Sequence, residues 1–255
     1  SLDFNNFKEW LIWQDGIEKQ LGKNIRLKMV RKAILSMLNT GNDNYSNLHI
    51  NWLNNYKGEV SLEKFGVSLS EKQMSSGEKT LLTITADLAR RLSIANPTLS
   101  NPLQGKGVVM IDELDLHLHP KWQRVIVDKL TKTFPNLQFI VTTHSPYIIA
   151  SVNPEATICL DPENEVQLTA KDKKRNTKGL EPNRVLKELM DTELYPDDTL
   201  EKMLKIKELL NPDFFDSEEL QNQLAELTDE LGIKDPFIMR AEHQLLMFKR
   251  RAAKR

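Results

Sequence analysis

Val108-Val109-Met110-Ile111-Asp112-Glu113 is the stretch on which the architecture turns. A continuous apolar run ending in charge marks a strand buried on both faces, as in a parallel sheet covered by helices. Residues 137–142 read as a second such strand, residues 122–130 as a helix, and Phe134-Pro135-Asn136 as the turn joining them. Strand, helix and strand with short links make a βαβ unit, so the two strands are expected to be parallel. Upstream, Leu81, Leu82, Ile84, Leu88, Ala89 and Leu92 form an amphipathic helix, and the Pro-, Gly- and Asn-bearing segment 95–107 reads as a loop.

Chemistry gathers where these strands end. Asp112 and Glu113 stand at the carboxyl end of the first strand, the position where open α/β sheets bind ligands. One such carboxylate can hold magnesium, directly or through water, while its neighbour polarises an attacking water. His144 ends the second strand beside Thr142, Thr143 and Ser145. An imidazole there can bond a phosphate or orient water, since its two ring nitrogens can donate and accept. Asp115, His117 and His119 run into Pro120. The alternation of the histidines and the helix-starting proline favour an interface loop over a transition-metal site, and no transition metal is assigned. Ahead of the first strand, Met74-Ser75-Ser76-Gly77-Glu78-Lys79 carries capping-box spacing between Ser75 and Glu78, so a helix is expected to begin there. Its unpaired N–H groups and positive dipole end suit a phosphate, and Gly77 would admit one closely.

The rest of the chain frames this centre. With 255 residues and a net charge of −1, it suits one or two domains, and global charge names no partner. The single Cys159 excludes an internal disulfide and a cysteine metal cage. No apolar run reaches the roughly eighteen residues of a membrane helix, so a cytoplasmic location without membrane contact is expected. Phe7, Trp10, Leu11, Ile17 and Leu21, then Leu27, Val30, Ile34 and Leu38, describe two helices. Residues 48–70 read as short strands, clearest in the alternation Phe65, Val67, Leu69. Residues 158–160 and 166–168 flank Asp161-Pro162-Glu163-Asn164 as a hairpin. From Glu181 the pattern is helical, broken at Pro196, Pro212 and Pro236, with one stripe at Leu220, Leu224, Leu227 and Leu231 and another at Leu245, Leu246 and Phe248. The expected divisions are a helical segment at 1–47, the end of a lid or an upstream lobe. A lobe at 48–160 bears the motifs, and a hairpin with a helical tail follows at 161–255.

In order and spacing, 74–79, 108–113 and His144 resemble the signature, Walker B and switch-histidine motifs of ABC-type ATPases on the RecF/SMC side. The run Asp112-Glu113-Leu114-Asp115-Leu116-His117-Leu118-His119-Pro120, followed by Trp122-Gln123, resembles more narrowly the RecF-like ATPases of prokaryotic antiphage systems. Thr142-Thr143-His144-Ser145-Pro146 and Asn183-Arg184-Val185-Leu186-Lys187-Glu188-Leu189-Met190 agree with that group, the ATPase subunits of Septu-type and retron-associated modules. The resemblance implies an α/β fold: the C-terminal lobe of an ABC-type (P-loop NTPase) domain, with parallel core strands, preceding helices and a helical tail. It implies ATP and Mg²⁺ as cofactors, Asp112 at the metal, Glu113 as general base and His144 at the γ-phosphate. Ser75, Ser76, Gly77, Glu78 and Asp115 form the nucleotide- and dimer-facing set. Sites shared between protomers imply a homodimer or higher homo-oligomer, and the group implies an HNH nuclease partner.

One element departs from the pattern. Nothing matches the phosphate-cradling G-x-x-x-x-G-K-[ST] loop; Gly105-Lys106-Gly107 lacks both the first glycine and the final hydroxyl. The sequence is therefore expected to be the C-terminal half of a longer protein, an ATPase only when a P-loop lobe completes it. The alternative functions are a RecF- or SMC-like repair or chromosome-organising ATPase, and a non-hydrolysing scaffold half. Two basic clusters, one at Lys171, Lys173, Lys174, Arg175 and Lys178 and one at Lys249, Arg250, Arg251, Lys254 and Arg255, leave DNA or RNA as a further partner.

Overall fold

The computed structural model describes residues 4–52, 58–160 and 176–252, with the backbone of Leu168 and Thr169. It divides into two units, Ser1–Met190 and Asp191–Arg255, each around its own apolar cluster.

The first unit opens with α1 (Phe4–Leu21) and α2 (Ile25–Leu38). Asn24 caps α2 by accepting from the Leu27 amide, and Leu27, Val30, Ile34 and Leu38 fall at helical spacing on its buried face. α2 packs on the long helix α3 (Ser76–Ala95), and α1 leans on α3 and on the strands between. Those strands, β1 (Tyr45–Trp52), β2 (Gly58–Lys64) and β3 (Val67–Ser70), form an antiparallel sheet in the order β1-β2-β3. Val60 and Leu62 of β2 join Tyr45, Leu48 and Ile50 of β1 in the core beneath α3.

The alternation at Phe65, Val67 and Leu69 is not a strand throughout. Lys64 pairs with Val67, so Phe65 and Gly66 are the two turn residues, at φ 51° and 78°. A two-residue turn with both φ values positive matches the twist of its strands, and it leaves the Phe65 ring 61% exposed.

Next come β4 (Gly107–Ile111), the short helix α4 (Pro120–Gln123), α5 (Ile126–Thr133) and β5 (Leu137–Val141). β4 and β5 are parallel, in register from Gly107↔Leu137 to Ile111↔Val141, so the βαβ expectation and the α/β class hold. Two details are corrected. The helix expected over 122–130 is interrupted at Arg124 and Val125, where the Val125 amide turns back to the Trp122 carbonyl at 3.0 Å. On either side of the break, Trp122 lies against Gly77, and Ile126 and Leu130 enter the core. The strands are also not buried on both faces. Ile111, Leu137, Phe139 and Val141 pack on the core, but Val108, Met110 and Ile140 on the opposite face are 62%, 79% and 48% exposed. Among the described residues only two strands pair here, and no helix covers the outer face.

Further on lie α6 (Pro146–Ile149), β6 (Ile158–Cys159) antiparallel to β7 (Leu168–Thr169), and α7 (Pro182–Leu189), which packs on α6. The turn expected at residues 161–164 lies outside the described residues. In the second unit, α8 (Asp197–Leu209), α9 (Glu218–Leu231) and α10 (Pro236–Ala252) are punctuated by the three prolines as expected. Leu220, Leu224 and Leu227 are buried with Met203, Ile206 and Ile238, and Leu231 and Leu245 pack on them. Leu246 instead is 54% exposed, while Phe248 meets the Phe215 ring at 6.1 Å. Lys249, Arg250 and Arg251 form the exposed last turn of α10; Lys171, Lys173, Lys174, Arg175, Lys254 and Arg255 lie outside the described residues. Among the described residues no helix is long and apolar enough to cross a membrane.

A phenylalanine at a left-handed turn position is strained, whereas asparagine tolerates it. Phe65→Asn should raise stability, by about 0.5–1 kcal/mol, read as a higher denaturant midpoint at unchanged slope. A lower midpoint would mean that Phe65 packs on a surface that the turn geometry does not reveal.

Candidate functional site

The parallel pair delivers its two following loops to one end of the sheet, and threonine hydroxyls tie them together. The Thr142 amide donates to the Ile111 carbonyl and the Leu114 amide to the Thr142 carbonyl, each at 3.0 Å. The Thr142 hydroxyl accepts from the Glu113 amide at 2.8 Å and donates to an Asp112 carboxylate oxygen. One residue further on, the Thr143 hydroxyl donates to Asp115 Oδ1, which also accepts from the His144 amide at 3.2 Å. Asp112, Glu113, Asp115 and His144 are thus gathered at one end through backbone and hydroxyl bonds, with Asp112, Glu113 and His144 exposed. Glu113 takes φ 50°, a left-handed value uncommon for a side-chain-bearing residue. Such strain persists only where surroundings over-determine it, and here the bonds on either side do so.

Gln123 braces the arrangement from α4. Its amide nitrogen donates to the Leu118 carbonyl at 2.8 Å, and its oxygen accepts from the buried Ser145 hydroxyl at 2.7 Å. Ser145 in turn caps α6 through the Tyr147 and Ile148 amides. His119 caps α4, its Nδ1 accepting from the Lys121 amide at 3.2 Å. Among the described residues no group of three or more His, Cys, Asp or Glu gathers to hold a metal.

The second half of the site is the start of α3. Ser75 is its N-cap and forms the expected capping box with Glu78. Gly77 is buried because this helix start lies directly on the loop after β4: a Cβ there would stand 2.8 Å from the His117 carbonyl oxygen and 3.1 Å from the Trp122 ring. The bare Cα expected to admit a phosphate is therefore occupied by backbone. A cleft of about 460 Å³ opens beside it, lined by Lys64, Ser75, Ser76, His117, His119 and Lys121 among others. Ser75 and Ser76 are exposed, while Glu78 is buried.

The Glu78 carboxylate is fully engaged. One oxygen accepts from Lys64 Nζ at 2.7 Å and from the Tyr45 hydroxyl; the other accepts from the Ser75 amide at 2.7 Å and the Ser75 hydroxyl at 2.8 Å. Since the Ser75 oxygen also accepts from the Glu78 amide, its own proton is committed to the carboxylate. Burial pushes the Glu78 pKa up, but the Lys64 ammonium and the Tyr45 and Ser75 donors outweigh it and hold the group down at about 2. Burial and the Glu78 bond push the Tyr45 phenol up to about 12.

Sequence reasoning places Ser75 through Glu78, Asp112, Glu113, Asp115 and His144 as a set. The structure brings the last four together and puts the helix start against their loop. Tyr45 and Lys64 escape sequence reasoning, since no motif links Tyr45 to a glutamate 33 residues away, and Gln123 figures there only within the resemblance. The paired Thr142-Thr143 hydroxyls beside His144 are the one signal that points to the tie between the loops.

Two outcomes test this geometry. Gly77→Ala must displace the His117 backbone, so it should cost about 1–3 kcal/mol in denaturant unfolding; a neutral substitution would refute the close approach. Glu78 has its pKa depressed on folding, so its stabilisation is present above its ordinary value of 4.5 and lost as pH falls toward about 2. The stability gap between the parent and Glu78→Gln, about 3 kcal/mol at most, should be full above pH 4.5 and close across that window. A gap that does not change with pH would contradict the shift.

The geometry can be set beside known proteins. Residues 35–150 match the family described as "AAA domain, putative AbiEii toxin, Type IV TA system". Among curated proteins, "Retron Ec83 probable ATPase" of Escherichia coli is 40% identical over 179 residues, covering 69% of this chain and 32% of the relative. "Retron Vc95 probable ATPase" of Vibrio cholerae serotype O1 biovar El Tor is 55% identical over 97 residues, 38% of this chain and 19% of the relative. "Septu protein PtuA" of Bacillus mycoides (strain KBAB4) is 29% identical over 180 residues, 64% of this chain and 24% of the relative. The matched stretches span no more than 32% of those relatives' own lengths. With the AAA-domain match laid over its helix start, carboxylate loop and histidine, the chain is similar to the ATPases of retrons and to Septu protein PtuA.

Proposed function

We propose that this chain supplies the hydrolytic and trans-acting lobe of an ABC-type ATPase in an antiphage module of the retron or Septu kind, where nucleotide state governs an HNH nuclease partner. The observation that carries the reading is the threonine tie. Thr142 and Thr143 fix the loops bearing Asp112, Glu113, Asp115 and His144 at one end of a parallel pair, while the α3 N-terminus abuts the same loop. The bare outer face at Val108, Met110 and Ile140 is what a longer protein would cover with the rest of its sheet.

Magnesium fits the donors here. It is held by one or two carboxylates together with waters and substrate phosphates rather than by an all-protein cage, and Asp112 is exposed at the strand end with one oxygen already fixed by Thr142. Asp112 would hold the ion, which when bound neutralises charge on the phosphates. Glu113, unencumbered and exposed, accepts the proton of an attacking water at its carboxylate. His144, steadied through its amide by Asp115, donates a hydrogen bond to the terminal phosphate. Ser75 and Ser76, exposed at the start of α3, face nucleotide gripped by a second protomer, so each site forms only when two copies meet. The cytoplasmic location, the homo-oligomer and the nuclease contact belong to this same reading.

Glu113→Gln in the complete protein is expected to abolish hydrolysis while keeping ATP binding, at a cost of about 10²–10⁴-fold in kcat. A steady-state phosphate-release assay beside nucleotide titration checks it. Turnover near the parent rate would remove Glu113 from the role.

A further inference from the structure

We infer that Tyr45 and Lys64 are positioning residues, which fix the start of α3 through the Glu78 carboxylate and so set where Ser75 and Ser76 stand toward a nucleotide. The inference rests on the shared-site reading above. Tyr45 and Lys64 are direct cross-strand partners at the edge of the β1–β2 ladder, and the Lys64 ammonium lies 4.9 Å from the centre of the Tyr45 ring. Both donate to the same oxygen, Glu78 Oε1. The other oxygen, Oε2, receives the amide and the hydroxyl of Ser75.

The carboxylate therefore has two ends with two masters. The antiparallel sheet holds one oxygen, and the other holds the cap residue whose backbone starts the helix. A planar carboxylate links the two rigidly, so moving the sheet edge moves Ser75. The hydroxyl proton of Ser75 is directed inward to Glu78 and the Glu78 amide is spent on the Ser75 oxygen, which leaves the exposed Ser76 as the donor presented outward. An ordinary capping box needs only the Ser75–Glu78 pair. The added phenol and ammonium, from strands remote in sequence, do nothing for helix initiation that the box does not already do. They do hold the carboxylate buried, ionised and in one place, the condition for preorganised donors.

The test uses the complete protein with ATP and magnesium. Lys64→Met and Tyr45→Phe should keep the folded content and the ATP affinity of the parent within about twofold, while kcat falls about 10- to 100-fold, as expected for misplaced donors. Lys64→Arg, which retains a cationic donor, should recover most of that loss. Parent-like kcat in both Lys64→Met and Tyr45→Phe, with Glu113→Gln inactive, overturns the inference and leaves the ATPase reading standing. Parent-like turnover in Glu113→Gln as well overturns both. Some fall in melting temperature is expected, since Glu78 loses a buried partner; a fall in ATP affinity as large as the fall in kcat, not recovered by Lys64→Arg, would make the cluster an element of the fold only and would also overturn the inference.

Discussion

The contact between the bare Cα of Gly77 and the backbone carbonyl of His117 is the constraint on which the packing around the motif-bearing loops depends. It brings the start of α3 onto the loop that leaves β4, so two segments far apart in sequence become one surface. No side chain fits between them. Around this contact Trp122 closes one side, α2 backs α3, and α5 packs on α2 with Ile126 and Leu130 buried.

Polar bonds then divide the labour. On the sheet side, Tyr45 and Lys64 secure Glu78 and, through it, the helix cap. On the strand side, Thr142 and Thr143 secure the carboxylates and the histidine backbone. Gln123 bridges Leu118 to Ser145, so the loop under Gly77 and the loop bearing His144 share one brace. The groups with open positions, Glu113 and His144, are those to which the proposed function gives the chemistry on a phosphate. Those whose valence is filled, Glu78 and Ser145, are those that hold the others still.

Much of this was legible in the sequence, because periodicity and motif order are local signals. The parallel pair, the capping box, the tail helices and the proline breaks all follow from residues near one another. What failed did so for reasons of context. Phe65 continues an alternating pattern, yet the pairing of Lys64 with Val67 makes it a turn residue, and register is set by the turn rather than by hydrophobicity. Val108 and Met110 have the composition of residues covered on both sides, but cover depends on neighbours that the described residues do not supply. Gly77 was readable as a close approach, but not what approaches. Tyr45 and Lys64 carry no motif at all, and only the three-dimensional register of β1 and β2 reveals them.

The central claim is that a working site takes Glu113 and His144 from one copy and the α3 start from another. Mixing two inactive forms of the complete protein tests this most directly: one carrying Ser75→Arg, which obstructs the trans surface, the other Glu113→Gln. An equimolar mixture that exchanges subunits should recover about a quarter of the parent hydrolysis rate, because mixed pairs hold one intact site of two. A mixture that forms such pairs and stays inactive would contradict the shared site.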